Sequence, residues 1–402
     1  MTADPAPIPC TGSTVHAATS GDDAPATLTV ILPNYNHANY LPRALEALLA
    51  QDLPGFEIIV VDDGSTDNSL EVLNRFAADF PSIKIIANPR NQGAIAALAR
   101  GLDATKARYV YFAAADDWVM PGFFATAIAA LDANPELGLF CGEALLINAT
   151  SGEVLGVRPP VRPRHAGGSI SAASARKLLR RSDNWILTGS AVFRRDFVLE
   201  AGGFDPELGS FADGFMGRKV ALTRGFYFSP HPVSAWTISP ASLSVRTALE
   251  SSRNDQALHV ARRLASDPAF PDWYGAIFTD RYIFSALRLT LFMATSEAQL
   301  RDSLALLRHS PVDRALTNLV VRRPKSRLAR TALIAWLWCR YRPYPLFEVA
   351  RTLLARRSEG LPPPLAPAND PSSKSSHRSH DELPRPRPSA MPIRGWPDHR
   401  DT

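Results

Sequence analysis

The chain has 402 residues, 46% of them hydrophobic, with 44 basic against 39 acidic side chains and a net charge of +5. That length allows one large domain with appendages or two domains, with material for a sizeable core. Cys10, Cys141 and Cys339 lie far apart without Cys-x-x-Cys spacing, which excludes a disulfide framework or zinc ribbon and fits a reducing cytosol. No run reaches the roughly 18 apolar residues of a spanning helix. The longest, Ala332–Cys339, is bracketed by Arg330 and Arg340. The N-terminal stretch has neither a basic start nor an apolar segment, so no secretory signal is expected.

Residues 1–26 are small, polar and aperiodic and read as disordered. Leu28–Leu32 is a buried strand, and Tyr40–Leu49 places Leu41, Ala44, Leu45, Leu48 and Leu49 at helical spacing. Glu57–Val61 is a strand, followed by a helix over Asp67–Phe76 that Ser65 or Thr66 could cap. The strand Ile83–Ala87 precedes the helix Ala94–Asp103. The strand Tyr109–Ala113 precedes a helix over Pro121–Leu131, with Pro121 near its first turn. Leu137–Cys141 is a further strand. Regular alternation of this kind marks a mostly parallel sheet flanked by helices.

Residues 150–170, rich in Pro, Arg and Gly, read as a connection. Ser174–Arg181 reads as a helix, Ala191–Arg194 as a short strand and Asp213–Leu222 as a helix. From 254 to 357 the pattern is helical, with apolar faces at Ile283, Leu287 and Leu291 and at Leu300, Leu304 and Leu307. Beyond Arg357 the Pro-, Ser-, Arg- and His-rich tail reads as disordered.

The chemistry is expected at strand ends. Val60-Val61-Asp62-Asp63-Gly64-Ser65-Thr66-Asp67 is an apolar strand that stops in acidic and small residues, and Val30–Asn36 stops similarly. In open α/β sheets, ligands sit at the carboxyl ends of strands. A carboxylate at Asp63 can accept from a base N–H or a ribose hydroxyl, although the same cluster is also ordinary turn chemistry. Tyr109–Trp118 is a second such strand, ending in Asp116-Asp117. Paired carboxylates suit a hard divalent ion bridging phosphate oxygens, or else cap a helix. Asn88-Pro89-Arg90-Asn91-Gln92-Gly93 opens a helix and fits a phosphate or a tight turn equally. Asp205 and Asp213 follow the Gly202-Gly203 turn, with Asp213 beginning a helix.

In order and spacing these elements resemble glycosyltransferase family 2, whose members have the GT-A fold. The resemblance covers residues 27–245 and leaves a helical region over 246–357 and a tail over 358–402. It rests on Pro33-Asn34-Tyr35-Asn36, Asp62–Asp67, Asn91-Gln92-Gly93 with Gly101, Asp116-Asp117, and Gly202-Gly203-Phe204-Asp205 with Asp213. It implies an inverting transferase using a nucleotide-sugar, UDP-linked by expectation. Pro33, Tyr35, Asn36, Asp63, Ser65, Asn91, Gly93, Ala115 and Asp116 would lie at the nucleotide, with Tyr35 and Asp63 at the base. Asp116 and Asp117 would hold Mn²⁺ or Mg²⁺. Asp213 would take the proton of the acceptor hydroxyl, on a bacterial surface glycan or its lipid-linked precursor.

Some positions depart from the family pattern. Ala114 stands where a further acid is usual, Leu98 and Ala99 where Arg and Asn are, and Ala212 where Glu precedes the catalytic Asp. These keep open a binding module without turnover. A nucleotidyltransferase is the other enzymatic alternative, and the missing Gly-x-Gly-x-x-Gly argues against a dehydrogenase. No Gln-x-x-Arg-Trp motif follows, which points to non-processive action. His231 is either a further ligand or structural. Trp336, Trp338, Tyr341, Tyr344 and Phe347 interleave with Arg340, Arg342 and Arg351. That mixture suits peripheral contact with the inner face of the cytoplasmic membrane, or ordinary packing with snorkelling arginines. No nucleic-acid partner is expected.

Overall fold

A computed structural model describes residues 25–51, 53–238, 252–293, 310–324 and 326–360. The expected disordered ends, Cys10 and the apolar face Leu300, Leu304, Leu307 lie outside the described residues, apart from 25–26 and 358–360 at the edges of the two ends. Ten strands are described: β1 (Leu28–Asn34), β2 (Phe56–Asp62), β3 (Ile83–Ala87), β4 (Tyr109–Phe112), β5 (Trp118–Val119), β6 (Leu139–Asn148), β7 (Val154–Arg158), β8 (Gly168–Ile170), β9 (Ala191–Arg194) and β10 (Phe226–Ile238). They form one sheet in the order β3-β2-β1-β4-β9-β6-β10-β5, with β7 beside β6 and β8 beside β10. Strands β3, β2, β1 and β4 run parallel. Strand β9 is antiparallel to both β4 and β6, and β6 and β10 are parallel again.

Helices cover both faces, which is why the parallel strands read as unbroken apolar runs. On one face lie α1 (Leu41–Leu49), α2 (Ser69–Asp79) and α4 (Phe123–Asp132), packed on Val30, Leu32, Tyr109, Tyr111, Phe140 and Val192. The alternate residues Ile31, Val110, Phe112, Leu139 and Phe193 point the other way. There they meet α3 (Ala94–Ala104), α5 (Ala172–Leu178), α6 (Arg195–Glu200) and α7 (Ala212–Arg224). Helix α3 sits so close to β1 that a Cβ on Gly101 would come within 2.3 Å of Ile31 Cγ2.

The C-terminal helices are α8 (Ser252–Ser266), α9 (Tyr274–Met293), α10 (Pro311–Arg322), α11 (Arg327–Tyr341) and α12 (Leu346–Glu359). Val260, Leu264, Phe270, Tyr274 and Phe278 belong to the same apolar core as α7. The far half of α9 packs with α10 and α11 around Leu287, Val320, Leu333 and Leu337. Among the described residues, no helix is long and apolar enough to cross a membrane.

Several expectations need correcting. The stretch 150–170 is not a plain connection, since it holds β7 and β8. Strand β10 follows α7 directly, with bulges around Pro232. Neither Ser65 nor Thr66 caps α2: the cap position is Asn68, and the Asp67 carboxylate accepts from Ser69 N at 2.9 Å. Pro121 stands outside α4, whose cap is Gly122 in a left-handed conformation at φ 73°.

Candidate active site

The parallel register brings the ends of β1 and β2 level, pairing Asn34 with Asp62. Both are buried, and Asn34 Nδ2 donates to Asp62 Oδ2 at 2.7 Å. Asp62 also accepts from Ser65 N at 3.0 Å and Ser65 Oγ at 2.7 Å. Ser65 Oγ in turn accepts from Asn36 N at 3.0 Å and Asn34 Nδ2 at 3.2 Å. Asn36, in the left-handed region at φ 56°, accepts at Oδ1 from Thr66 N at 2.7 Å and Asp67 N at 3.3 Å. Asn36 and Ser65 thus stitch two loops together. Pro33 lies half-buried just before them, and Tyr35 projects with 41% of its surface exposed.

Asp63 is 2% exposed. Its Oδ1 accepts from Asn88 Nδ2 at 2.6 Å and Gln92 N at 3.0 Å, and its Oδ2 from Gln92 N at 2.9 Å and Gly93 N at 2.7 Å. A carboxylate has about four acceptor positions, and three donors of the Asn88–Gly93 loop take most of those on Asp63. Asp63 therefore braces this loop, in addition to the expected contact with the base. Asn91 stands exposed beside it, accepting from Gly93 N at 2.9 Å. Gly93 caps α3 at φ 94°, a conformation few side chains tolerate. Gly64, at φ 74°, passes so near Arg90 that a Cβ would come within 2.8 Å of its backbone.

The second acidic end differs. After β4, Ala115 is buried, and Asp116 and Asp117 are half-buried in a turn before β5. Strand β10 ties this turn down: Thr237 N donates to Asp117 Oδ1 at 2.8 Å, and Thr237 Oγ1 to the Asp116 carbonyl at 2.7 Å. Burial, and then the neighbouring Asp116 carboxylate, push the Asp117 carboxyl well above the usual range, against the lowering effect of the Thr237 N–H. The Asp116 carboxylate makes no hydrogen bond or ion pair with another described residue.

A short 3-10 turn, Thr188–Ser190, joins this turn to α7. Gly189 O accepts from Tyr111 Oη at 2.9 Å, and a Cβ on Gly189 would lie 3.9 Å from Asp117 Oδ2. The adjacent Thr188 Oγ1 donates to Asp213 Oδ2 at 3.1 Å. Asp213 sits in the first turn of α7, where a carboxylate suits the helix dipole, and Oδ1 accepts from Gly214 N at 2.6 Å. One turn further, Arg218 is half-buried and donates to Asp183 O at 2.8 Å and Gly214 O at 2.9 Å. Burial alone would push its guanidinium down; Tyr274, Asp183 and Asp213 more than reverse that.

The structure thus sets Asp213 against Thr188 and Asp117 near Gly189, with Asp116 beside Asp117, and gathers Pro33, Tyr35, Asn36, Asp63, Ser65, Asn91 and Gly93 around the ends of β1 and β2. It separates His231, which lies six residues before Thr237 on β10, about 20 Å at strand spacing. Thr188, Thr237 and Arg218 carried no signal in the sequence, since isolated threonines and arginines are common everywhere, whereas Asn88 was visible in the Asn88–Gly93 motif but its tie to Asp63 was not. Asp205 also serves a local purpose, accepting from Glu207 N at 2.9 Å and pairing with Arg263 of α8 at 3.0 Å.

An α/β domain with a helix-covered sheet and acidic strand ends facing one cleft is the architecture of GT-A glycosyltransferases. Residues 29–198 match the model of glycosyl transferase family 2. The chain is 37% identical over 99 residues to the glycosyltransferase YibD of Escherichia coli strain K12, which is 25% of this chain and 28% of that one. The alignment therefore spans well under two thirds of that relative. Among solved structures, S. aureus TarS 1-349 in complex with UDP-GlcNAc aligns at a TM-score of 0.52 and 15% identity, covering 77% of this chain and 91% of that chain. The mannosyltransferase PcManGT from Pyrobaculum calidifontis, in complex with GDP-Man and Mn²⁺, aligns at 0.50 and 20% identity, covering 84% and 90%. These likenesses establish the GT-A fold.

Proposed function

We propose that the chain is an inverting, non-processive glycosyltransferase that moves a sugar from a UDP-linked donor to a hydroxyl of a bacterial surface glycan or its lipid-linked precursor. It would work in the cytoplasm, at the inner face of the membrane. The observation that carries this reading is the Thr188-Gly189 turn, which touches Asp213 with one residue and borders Asp117 with the next. One turn thus neighbours both Asp213 and Asp117, which supports reading the first as a general base and the second, with Asp116, as a charge-neutralising pair in the same reaction.

In this reading the exposed ring of Tyr35 is the platform for the nucleotide base, and the Asn91–Gly93 loop, shaped by Asp63, lies alongside it. Asp213 withdraws the proton of the acceptor hydroxyl, with Thr188 and Gly214 N holding both its oxygens in place. Asp116 and Asp117 fit a divalent cation, Mn²⁺ or Mg²⁺. One carboxylate has no hydrogen-bonding partner among the described residues, and the other is crowded by like charge, which a cation relieves. When bound, such an ion offsets charge building on a departing diphosphate. No group of three His, Cys, Asp or Glu side chains gathers among the described residues, so the donor and water would supply the remaining ligands.

The test is nucleoside diphosphate release from UDP-, GDP- and dTDP-sugars with Mn²⁺, with and without acceptor glycans. Turnover with one donor, lost in Asp213→Asn while donor binding persists, is the expected result. Donor binding with no release under any pairing would instead identify a binding module, as Ala114 and Ala212 allow.

A further inference from the structure

Helix α12 turns its polar side inward and its apolar side out. Thr352 is fully buried and Arg356 is 7% exposed. Thr352 Oγ1 accepts from Arg162 N at 3.2 Å, and the Arg356 guanidinium donates to Glu143 Oε1 on β6 and to the carbonyls of Val157 and Pro159. Glu359 accepts from Arg162 at 2.6 and 2.8 Å. On the outer side, Leu346 is 65% exposed, Phe347 74%, Leu353 58% and Leu354 67%. Their spacing of one, seven and eight residues places them on a single helical face. A surface helix ordinarily buries its apolar stripe, so one that presents it outward marks a contact surface.

The unpaired charge on α12 and on the segments that precede it in sequence has one sign. Arg351 and Arg357 flank the apolar face on α12, and Arg322, Arg323, Arg327 and Arg342 are exposed on the preceding segments. The acidic residues between 310 and 360 are Asp313, Glu348 and Glu359, and each is paired with an arginine: Arg340, Arg181 and Arg162. Of the aromatic residues expected at a membrane, Trp336, Trp338 and Tyr344 are used elsewhere. Trp336 Nε1 donates to Asp313 at 2.8 Å, Trp338 packs edge-on against Phe284, and Tyr344 Oη accepts from Asn184.

We propose that α12 docks on an anionic lipid bilayer, lying in the interface plane. Leu346, Phe347, Leu353 and Leu354 enter the acyl boundary, and Arg351 and Arg357 meet headgroup phosphates. A second copy of the chain is the poorer occupant, because a symmetric contact would set these arginines against one another. The proposal rests on α12 alone and does not depend on sugar transfer at Asp213.

The experiment is co-sedimentation of the full chain with vesicles of phosphatidylcholine alone or mixed with phosphatidylglycerol. The expected result is binding to the anionic vesicles only, weakening with added salt. Leu353→Glu/Leu354→Glu should bind roughly tenfold or more weakly, with an unchanged thermal unfolding curve because both positions are exposed. Failure of the unaltered chain to bind anionic vesicles would overturn the proposal, as would equal binding by the double variant. A dimer in sedimentation velocity that the double variant abolishes would also overturn it, by making a second copy the occupant.

Discussion

Two acidic strand ends lie at the same edge of the sheet, and they are built in opposite ways. At the end of β2, Asp62 and Asp63 are fully hydrogen-bonded by Asn34, Ser65, Asn88, Gln92 and Gly93. At the end of β4, Asp116 has no such partner among the described residues, and Asp117 has one donor and a like charge beside it. A saturated carboxylate fixes the shape of the chain around it. A crowded pair with fewer donors costs stability, and it is this pair that is proposed to take a cation. The more recognisable motif is thus the scaffold, and the plainer one is where the chemistry is proposed.

The largest expected effect comes from Asp213→Asn, which keeps the shape and removes the base. General-base contributions are about 10²- to 10⁴-fold, so kcat for sugar transfer should fall by that range while the midpoint of urea unfolding stays put. If kcat is unchanged, the proton goes elsewhere and the gathering around Thr188 has another purpose.

The contrast between the two ends is tested directly by Asp63→Ala against Asp116→Ala. Removing Asp63 strands Asn88 Nδ2, Gln92 N and Gly93 N in a part-buried loop. At about 1–3 kcal/mol for each unsatisfied group, offset by entering water, a loss of about 2–4 kcal/mol is expected in urea unfolding. Asp116→Ala should cost less than about 1 kcal/mol, or stabilise, since it relieves Asp117 of a like charge. It should nevertheless abolish metal-dependent donor turnover. Equal destabilisation by the two substitutions would erase the distinction.

Much of this was legible in the sequence, for identifiable reasons. Strands buried on both faces are nearly continuous apolar runs, so β1, β2, β4 and β9 were readable, and the abrupt polar ends of β1, β2 and β4 marked the edge of the sheet that carries the candidate site. Strand β10 was not, because Pro230, His231 and Pro232 interrupt its pattern where the ladder bulges. Strands β7 and β8 hid in a Pro- and Gly-rich stretch, tolerable at the margins of a sheet. At the site, each acidic residue was visible, but which carboxylate is filled and which is free depends on donors 25 to 120 residues away. The Thr188 bridge is invisible for the same reason.

That bridge predicts a smaller effect. Thr188→Val removes the hydroxyl that donates to Asp213 Oδ2 and keeps the bulk. Loss of one such hydrogen bond is worth about 1–2 kcal/mol, or roughly 10-fold in rate. If Thr188 positions the base, the loss falls on kcat with KM for the donor unchanged, and Thr188→Ser restores most of it. A loss confined to KM would place Thr188 in donor binding instead.

The smallest effect concerns the rim of the saturated end. The Asp67 carboxylate accepts from Ala38 N at 3.0 Å and Ser69 N at 2.9 Å. Partial burial raises its pKa, but the hydrogen bonds from Ser69 and Ala38 lower it further, so it stands below the ordinary carboxylate value when folded. A depressed folded pKa means that the stabilisation is present above the unfolded pKa and lost as pH falls through the folded one. Asp67 is exposed, so solvent screening keeps this below about 1 kcal/mol. Urea unfolding of Asp67→Asn should therefore trail the unaltered protein slightly at neutral pH, with the two curves converging in acid below the usual carboxylate range. A gap that persists unchanged into acid would mean that the loops at the ends of β1 and β2 are held by shape alone, and that charge plays no part in bracing the first acidic end.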